Sequence, residues 1–302
     1  MLIMTLTCAL FCQGCGGLAK RTAVQTMSDL VAAGFPAYAR ERDLELAEYA
    51  LAANVKLLEA LLESEPEQPT LLLAVAQGLA TYAYVVVEGE LAAAHRKATE
   101  TIAFQTRRAK YFYDRGLNYG LRALSRYDPV WQQALTLELT ELENILQQLQ
   151  VEATPALFWT AFCWGGILNM TRDNLDSIAA LPRFEALLSR LLALDETYFY
   201  GAPHLLMAVH YASRSLMLGG DPKQARYHFS RARVISQNRF LLVPLLEAQY
   251  YAVQIQDRAL FQLRLQEILD ASDTLFPEQA LLNTVAKQRA QFLLQQLEDL
   301  FV

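Results

Sequence analysis

From residue 40 onward, apolar positions recur every three or four residues. In DLELAEYALAANVKLLEALLESEPEQP they fall at Leu44, Ala47, Leu51, Val55, Leu58 and Leu62, the 3.6-residue spacing of one helix face. Asp43 stands where an N-cap belongs, and Glu65-Pro66 through Pro69 ends the run. Thr70 is then expected to cap TLLLAVAQGLATYAYVVVE. A long helical segment follows from about Leu91 to Tyr127, halted by Asp128-Pro129. Pro129 opens PVWQQALTLELTELENILQQL as one further helix, since a proline at the first helical position removes no needed donor. Thr154-Pro155, Leu181-Pro182 and Gly219-Gly220-Asp221-Pro222 mark later boundaries in the same way. No run alternates with period two and no Asn-Gly hairpin signal occurs, so the predicted fold is all-α with short loops.

Helix hairpins in series call for a search for repeats. Tetratricopeptide-type hairpins pair a small residue, a large one four positions on, and a small one three beyond that. The small positions let two helices approach closely. Ala225, Phe229 and Ala232 fit this spacing, as do Ala53, Leu57 and Ala60; Gly116, Gly120 and Ala123 fit more loosely, and Phe184, Leu188 and Leu191 least. No repeat carries the leading tryptophan signature. The pattern predicts a stack of degenerate repeat hairpins wound into a superhelix.

Hydrophobic residues make up 53% of the chain and charged ones only 19%, which suits thoroughly buried helices. Residues 68–87 and 153–171 carry no charge and are long enough to span a bilayer. Pro69 and Pro155 lie near their starts, and Gln77, Asn169 and several threonines interrupt them, so they are expected as buried core helices. A net charge of −6 and the lack of a basic stripe argue against nucleic-acid binding.

Three of the four cysteines, Cys8, Cys12 and Cys15, lie in the first fifteen residues. There an apolar run ends in Gln13-Gly14-Cys15-Gly16-Gly17, with Lys20 and Arg21 following. This is the order of a bacterial lipoprotein signal: residues 1–14 removed, Cys15 lipidated, 15–40 a tether and lead-in, and 41–302 the helical body. Two features depart from that pattern: no Lys or Arg precedes the run, and Cys12 occupies the position three before Cys15. Cys163 remains as a single thiol in the body and is expected to be buried and inert.

No phosphate loop, serine elbow or zinc-binding His-Glu-x-x-His is present. His204 and His210 are six apart, about 240° round a helix, so they point to different sides and no zinc site is expected. No cofactor is expected. Aromatic density beside a few polar groups stands out instead, in KYFYDRGLNYG, in FWTAFCW and in YFYGAPH. Core packing and an aromatic-lined groove for an apolar ligand both fit. His204, Tyr211 and Arg214 share one face, at steps of seven and three residues.

Residues 15 to 300 resemble the T-component lipoproteins of tetratricopeptide-associated TRAP transporters. The resemblance rests on LLLAVAQGLATYAYVVVE, RAKYFYDRGLNYGLRAL, ALFWTAFCWGGILN, LPRFEALLSRLLALDE, YGAPHLLMAVHYASRSLMLGGDPKQARYHFSRA and PLLEAQYYAVQIQDRALFQLRLQEIL, in that order. It implies a non-enzymatic periplasmic subunit, anchored by lipid to the envelope membrane and assembled as a homotrimer. Such a subunit docks a TRAP-type periplasmic solute-binding protein and passes a small hydrophobic ligand. Tyr113, Asn118, Tyr119, Trp159, Trp164, His204, Tyr211 and Arg214 are the expected lining residues. A general helical-repeat adaptor of the cell envelope is the other reading of the same helical body.

Overall fold

Asp43 caps its helix as the pattern requires: its carboxylate accepts hydrogen bonds from the backbone N–H groups of Glu45 and Leu46, at 2.9 and 3.1 Å. The helix, α1 (Leu44–Leu62), buries Ala47, Leu51, Val55, Leu58 and Leu62. The computed structural model describes residues 22–31, 33–94 and 99–301; Cys15 lies outside them. Among the described residues there is no strand.

Helix α2 (Pro69–Tyr82) continues through a π-helical turn, Ala83–Val87, into Glu88–Ala93. Then come α3 (Thr99–Leu124), α4 (Leu139–Gln148), α5 (Thr154–Met170), α6 (Leu181–Asp195), α7 (Tyr198–Ala212) and α8 (Pro222–Ile235). Helix α9 (Leu242–Leu246) runs into a second π-helical turn, Glu247–Ala252, and α10 (Arg258–Asp270) and α11 (Ala280–Leu294) close the array. Residues 22–31 and 33–39, in the stretch read as lead-in, are also helical.

Three boundaries differ from the sequence reading. Gln68 rather than Thr70 caps α2, its side-chain oxygen accepting from the Leu71 N–H at 2.6 Å, with Pro69 at the first helical position. The segment from Leu91 to Tyr127 is divided, because Ala94 leaves helical geometry. The helix from Pro129 is also divided, into a 3₁₀ stretch, Pro129–Thr136, and α4, with Leu137 and Glu138 extended between them. An unbroken helix would carry Glu138 onto the stripe formed by Trp131, Ala134, Leu142 and Leu146, all buried. Breaking the helix spares that carboxylate the cost of burial.

Helix α2 is the central element, packed against α1, α3 and α5. Pro69–Ala93 is long and apolar enough to cross a membrane by length and composition, yet 72% of its apolar window is buried inside the fold. Helices α3 and α5 cross at Gly116 and Gly120. A Cβ on Gly116 would stand 2.6 Å from the Cys163 sulfur, and one on Gly120 would strike Thr160, so only glycine permits the approach. Cys163 is buried there, and burial pushes its thiol pKa up, which keeps it inert.

The spaced small residues behave unequally. Ala225, Phe229 and Ala232 are all buried between α7 and α8, and Gly116, Gly120 and Ala123 serve the α3–α5 crossing. Phe184, Leu188 and Leu191 are also buried. Ala53, Leu57 and Ala60 instead face solvent, because α1 turns the stripe through Leu51, Val55 and Leu58 toward α2. That triplet is therefore no packing motif.

The apolar interior divides into two clusters. One is built from α1 to α6 with Ala202 and Met207 of α7 and Leu281 and Val285 of α11, the other from the remaining buried residues of α7 through α10 and the later part of α11. Tyr84, Phe199, Tyr211 and Leu282 pack against both.

Candidate functional site

A cavity of about 450 Å³ lies along the seam between the two clusters. One face of α5, from Phe158 through Phe162 and Gly166 to Asn169, forms one wall. A face of α7, from Phe199 through Ala202, Leu206 and Val209, forms the wall opposite. The two helices run in the same sense. Phe158 and Trp159 meet Phe199 at the inner end, ring centroids 5.9 and 5.7 Å apart, while Arg172 and Arg214 follow the helices' C-termini at the outer end. The exposed lining residues, Arg172, Asp173, Ser215 and Leu218, all lie at this outer end, so the mouth is there. The wall from Phe158 to Asn169 is about 16 Å long at the rise of an α-helix.

The inner end is held by unusual backbone. Phe199, Tyr200 and Gly201 have φ of 45°, 61° and 83°, a left-handed run that costs each bulky residue free energy. Packing holds it in place: Phe199 contacts Phe158, Trp159 and Phe240, and Tyr200 meets Phe276 edge-on at 4.8 Å. Both π-helical turns also reach the cavity, one presenting Tyr84 and leading into Glu88, the other presenting Tyr250. A π turn inserts one residue into a helix and so re-aims the side chains that follow.

A polar septum crosses this apolar setting. The Tyr113 hydroxyl donates to Glu88 Oε1, and its ring fits over Gly166, where a Cβ would stand 2.6 Å from it. Arg289 lies 3.6 Å from Glu88 Oε2, donates to the Tyr84 carbonyl and stacks over the Tyr84 ring at 4.1 Å. The side chains of Glu88 and Arg289 are only 14% and 6% exposed. Burial pushes the Glu88 carboxyl above its ordinary value, against the pull of Arg289. Asn169 donates to the Tyr250 hydroxyl at 3.0 Å and accepts from Arg172 Nε at 2.9 Å. Glu88, Asn169, Arg172 and Tyr250 also line a second cavity, of about 340 Å³, toward α11. The septum thus stands between two chambers. The Tyr84 hydroxyl is buried without a hydrogen-bond partner on the wall of the larger one, and burial raises its pKa to about 12.

Of the expected lining residues, Tyr113, Trp159 and Arg214 are on the wall of the larger cavity. Trp164 packs edge-on against Phe184, ring centroids 5.5 Å apart, and Asn118 is exposed. The Tyr119 hydroxyl donates to Glu59 at 3.2 Å. His204 and Tyr211 turn toward α8. His204 Nδ1 lies 2.7 Å from His228 Nδ1, its Nε2 lies 2.8 Å from Glu196, and the Tyr211 ring stacks on His228. Arg214 parts from them because α7 ends at Ala212, so the wheel that aligned the three does not reach it. Burial lowers the His228 pKa to about 4, with His204 adding to the effect. Among the described residues, no group of three His, Cys, Asp or Glu side chains is placed to hold a metal.

Glu88 and Arg289 were missed by the sequence reading, although both leave a trace in it. Glu88 is the first charge after the uncharged run 68–87. Arg289 interrupts the stripe Leu281, Val285, Leu293, so it is a cation placed on a buried face.

No curated protein matches the chain. The family of the TRAP transporter T-component does match, over residues 40–301, a range that takes in both helical walls, the septum and the second chamber. The chain therefore belongs to the TRAP transporter T-component family, whose members are transport subunits rather than enzymes.

Proposed function

We propose that the chain is a periplasmic, lipid-anchored subunit of a TRAP-type uptake system that receives a small hydrophobic ligand and docks a TRAP-type solute-binding protein. In this reading residues 1–14 are a signal and Cys15 carries the lipid. The helical body forms a tetratricopeptide-like superhelix that assembles as a homotrimer. The observation that carries the reading is the aromatic cavity itself. It is largely apolar, open at one end and joined by a polar septum to a second chamber, the shape expected of a ligand site. The unpaired Tyr84 hydroxyl gives a ligand one polar contact inside it. Leu175, Leu216 and Met217 flank the mouth and are 80%, 72% and 96% exposed, apolar surface that suits a protein partner.

Two experiments test this. The full chain, solubilised from envelope membranes and used as bait, should recover a TRAP-type solute-binding protein from periplasmic extract. Failure at high extract concentration contradicts the docking claim. Metabolic labelling with a fatty acid should mark the wild type and not Cys15→Ala; equal labelling removes the anchor.

One observation favours the adaptor reading. Leu46, Tyr49 and Leu57 on α1 are 54%, 66% and 46% exposed and, with Ala53 and Ala60, form an apolar stripe at helical spacing. Such a stripe fits a protein surface. Tight peptide binding that Leu57→Glu abolishes, with no small ligand in the cavity, would support the adaptor.

A further inference from the structure

The mouth of the cavity holds two arginines that form no close ion pair among the described residues, although Asp173 lines it as well and Glu88 feels the charge of Arg172 from farther off. Four other arginines drawn into the fold meet carboxylates: Arg289 meets Glu88, Arg115 meets Glu59, and Arg233 and Arg264 meet Glu247 and Glu267. Arg183 and Arg190 donate to backbone carbonyls, and Arg239 stacks on Phe276. No carboxylate oxygen among the described residues lies within 4.0 Å of Arg214 or Arg172. Arg214 lies 3.0 and 3.2 Å from the ring nitrogens of His210. Arg172 bonds Asn169 Oδ1 and stacks on Tyr250 at 5.3 Å.

Glu185, whose charge supports Arg214 from farther off, is occupied by the Tyr211 hydroxyl at 2.7 Å and by His210 at 3.3 Å. Burial lowers the Arg214 pKa to about 10, and the like charge of Arg172 lowers it too. The guanidinium is therefore under-compensated where it stands. Arginines just past helix C-termini commonly bond the last carbonyls, but neither of these donates to a backbone oxygen among the described residues. The Arg214 carbonyl itself accepts from Gln254 at 2.7 Å.

Behind these two cations the wall runs about 16 Å and is largely apolar, with Glu88, Tyr113 and Asn169 of the septum set into it, ending at Phe199 and Phe240. A fully apolar ligand would leave the arginines as they are, and a compact anion would leave the slot empty. We propose that the cavity binds a single-chain amphiphile with one anionic headgroup, a carboxylate or a phosphate monoester, held between Arg172 and Arg214. Its chain lies between α5 and α7 and points toward Phe199. This rests on reading the cavity as a ligand chamber and adds the charge, position and direction of the ligand.

The test uses the full chain, stripped of bound lipid by denaturation and refolding, in titration calorimetry. The probes are dodecanoate, dodecyl phosphate, dodecanol and dodecyltrimethylammonium. The anionic probes should bind the wild type at least tenfold more tightly than dodecanol, and the ammonium should bind most weakly. Arg214→Gln and Arg172→Gln should each weaken the anionic probes by about 10- to 100-fold, the worth of a charge-assisted hydrogen bond, and leave dodecanol within about threefold. Arg214→Lys, which keeps the charge but loses the planar fork, should recover most of the loss. Val209→Trp, which fills the slot, should weaken every probe. Circular-dichroism melting of each variant separates lost binding from lost folding. Equal binding of all four probes, or anionic binding that survives both arginine substitutions, overturns the headgroup assignment and leaves the chamber reading standing. Failure of every probe to bind the folded wild type overturns the chamber reading itself. The tighter of the two anionic probes names the headgroup.

Discussion

Arg289 is the most informative single position in the septum. It is 5% exposed and faces Glu88 at 3.6 Å. Replacing it with methionine keeps most of the volume and strands the carboxylate. Breaking a buried pair from one side costs about 3–5 kcal/mol, and the bond to the Tyr84 carbonyl and the stacking over its ring are lost as well. At roughly 2–4 °C per kcal/mol for a domain of this size, the melting temperature should fall by about 6–20 °C. The loss should also depend on pH. Burial already holds Glu88 above its ordinary 4.5, and Arg289 opposes that rise, so Arg289→Met raises it further. A carboxyl raised in the folded state favours folding in its protonated form. That contribution is full below the unfolded value and is lost as pH rises through the folded one. The penalty of Arg289→Met should therefore be largest near neutral pH and shrink toward pH 4.5. Other groups cancel when variant and parent are compared at the same pH. Urea titrations at neutral pH and at the acidic end measure this, and adding Glu88→Gln should restore most of the stability at neutral pH. An equal penalty at both pH values, or no rescue by Glu88→Gln, would refute the reasoning.

Three other outcomes are expected. Gly120→Leu should destabilise by about 1–3 kcal/mol or more through overpacking against Thr160, whereas Gly34→Ala, with open space around it, should not; urea midpoints separate them. Gln237 is exposed with φ of 54°, so Gln237→Gly should raise stability by about 1 kcal/mol. Burial depresses His228 to about 4 from 6.5. Its contribution is thus full above pH 6.5 and lost as pH falls toward 4, and His228→Phe should flatten that part of a urea-midpoint profile.

Periodicity made α1 legible because one stripe of that helix, Ala47 to Leu62, packs mainly against α2. The prolines and capping residues at 128–129, 181–182 and 221–222 placed boundaries for the same local reason: they act through their own backbone. Where a boundary depended on what a helix packs against, as at Glu138, propensity alone misread it. The two π turns leave no composition signal, and they are what aim Tyr84, Glu88 and Tyr250 at the cavity. The pairing of Glu88 with Arg289 spans two hundred residues of chain, so only the fold joins them. Aromatic density was visible from the start. Which rings face a cavity and which face each other was decided by helix ends such as Ala212 and by the left-handed run at Phe199 to Gly201.

The central claim is that the cavity between α5 and α7 holds a small apolar or amphipathic ligand. Mass spectrometry of the full chain, purified gently from its native envelope and then denatured, tests it most directly. The account expects one small molecule released at close to one per chain from the wild type and none from folded Val209→Trp. Release of nothing from the wild type, or equal release from both, would contradict it.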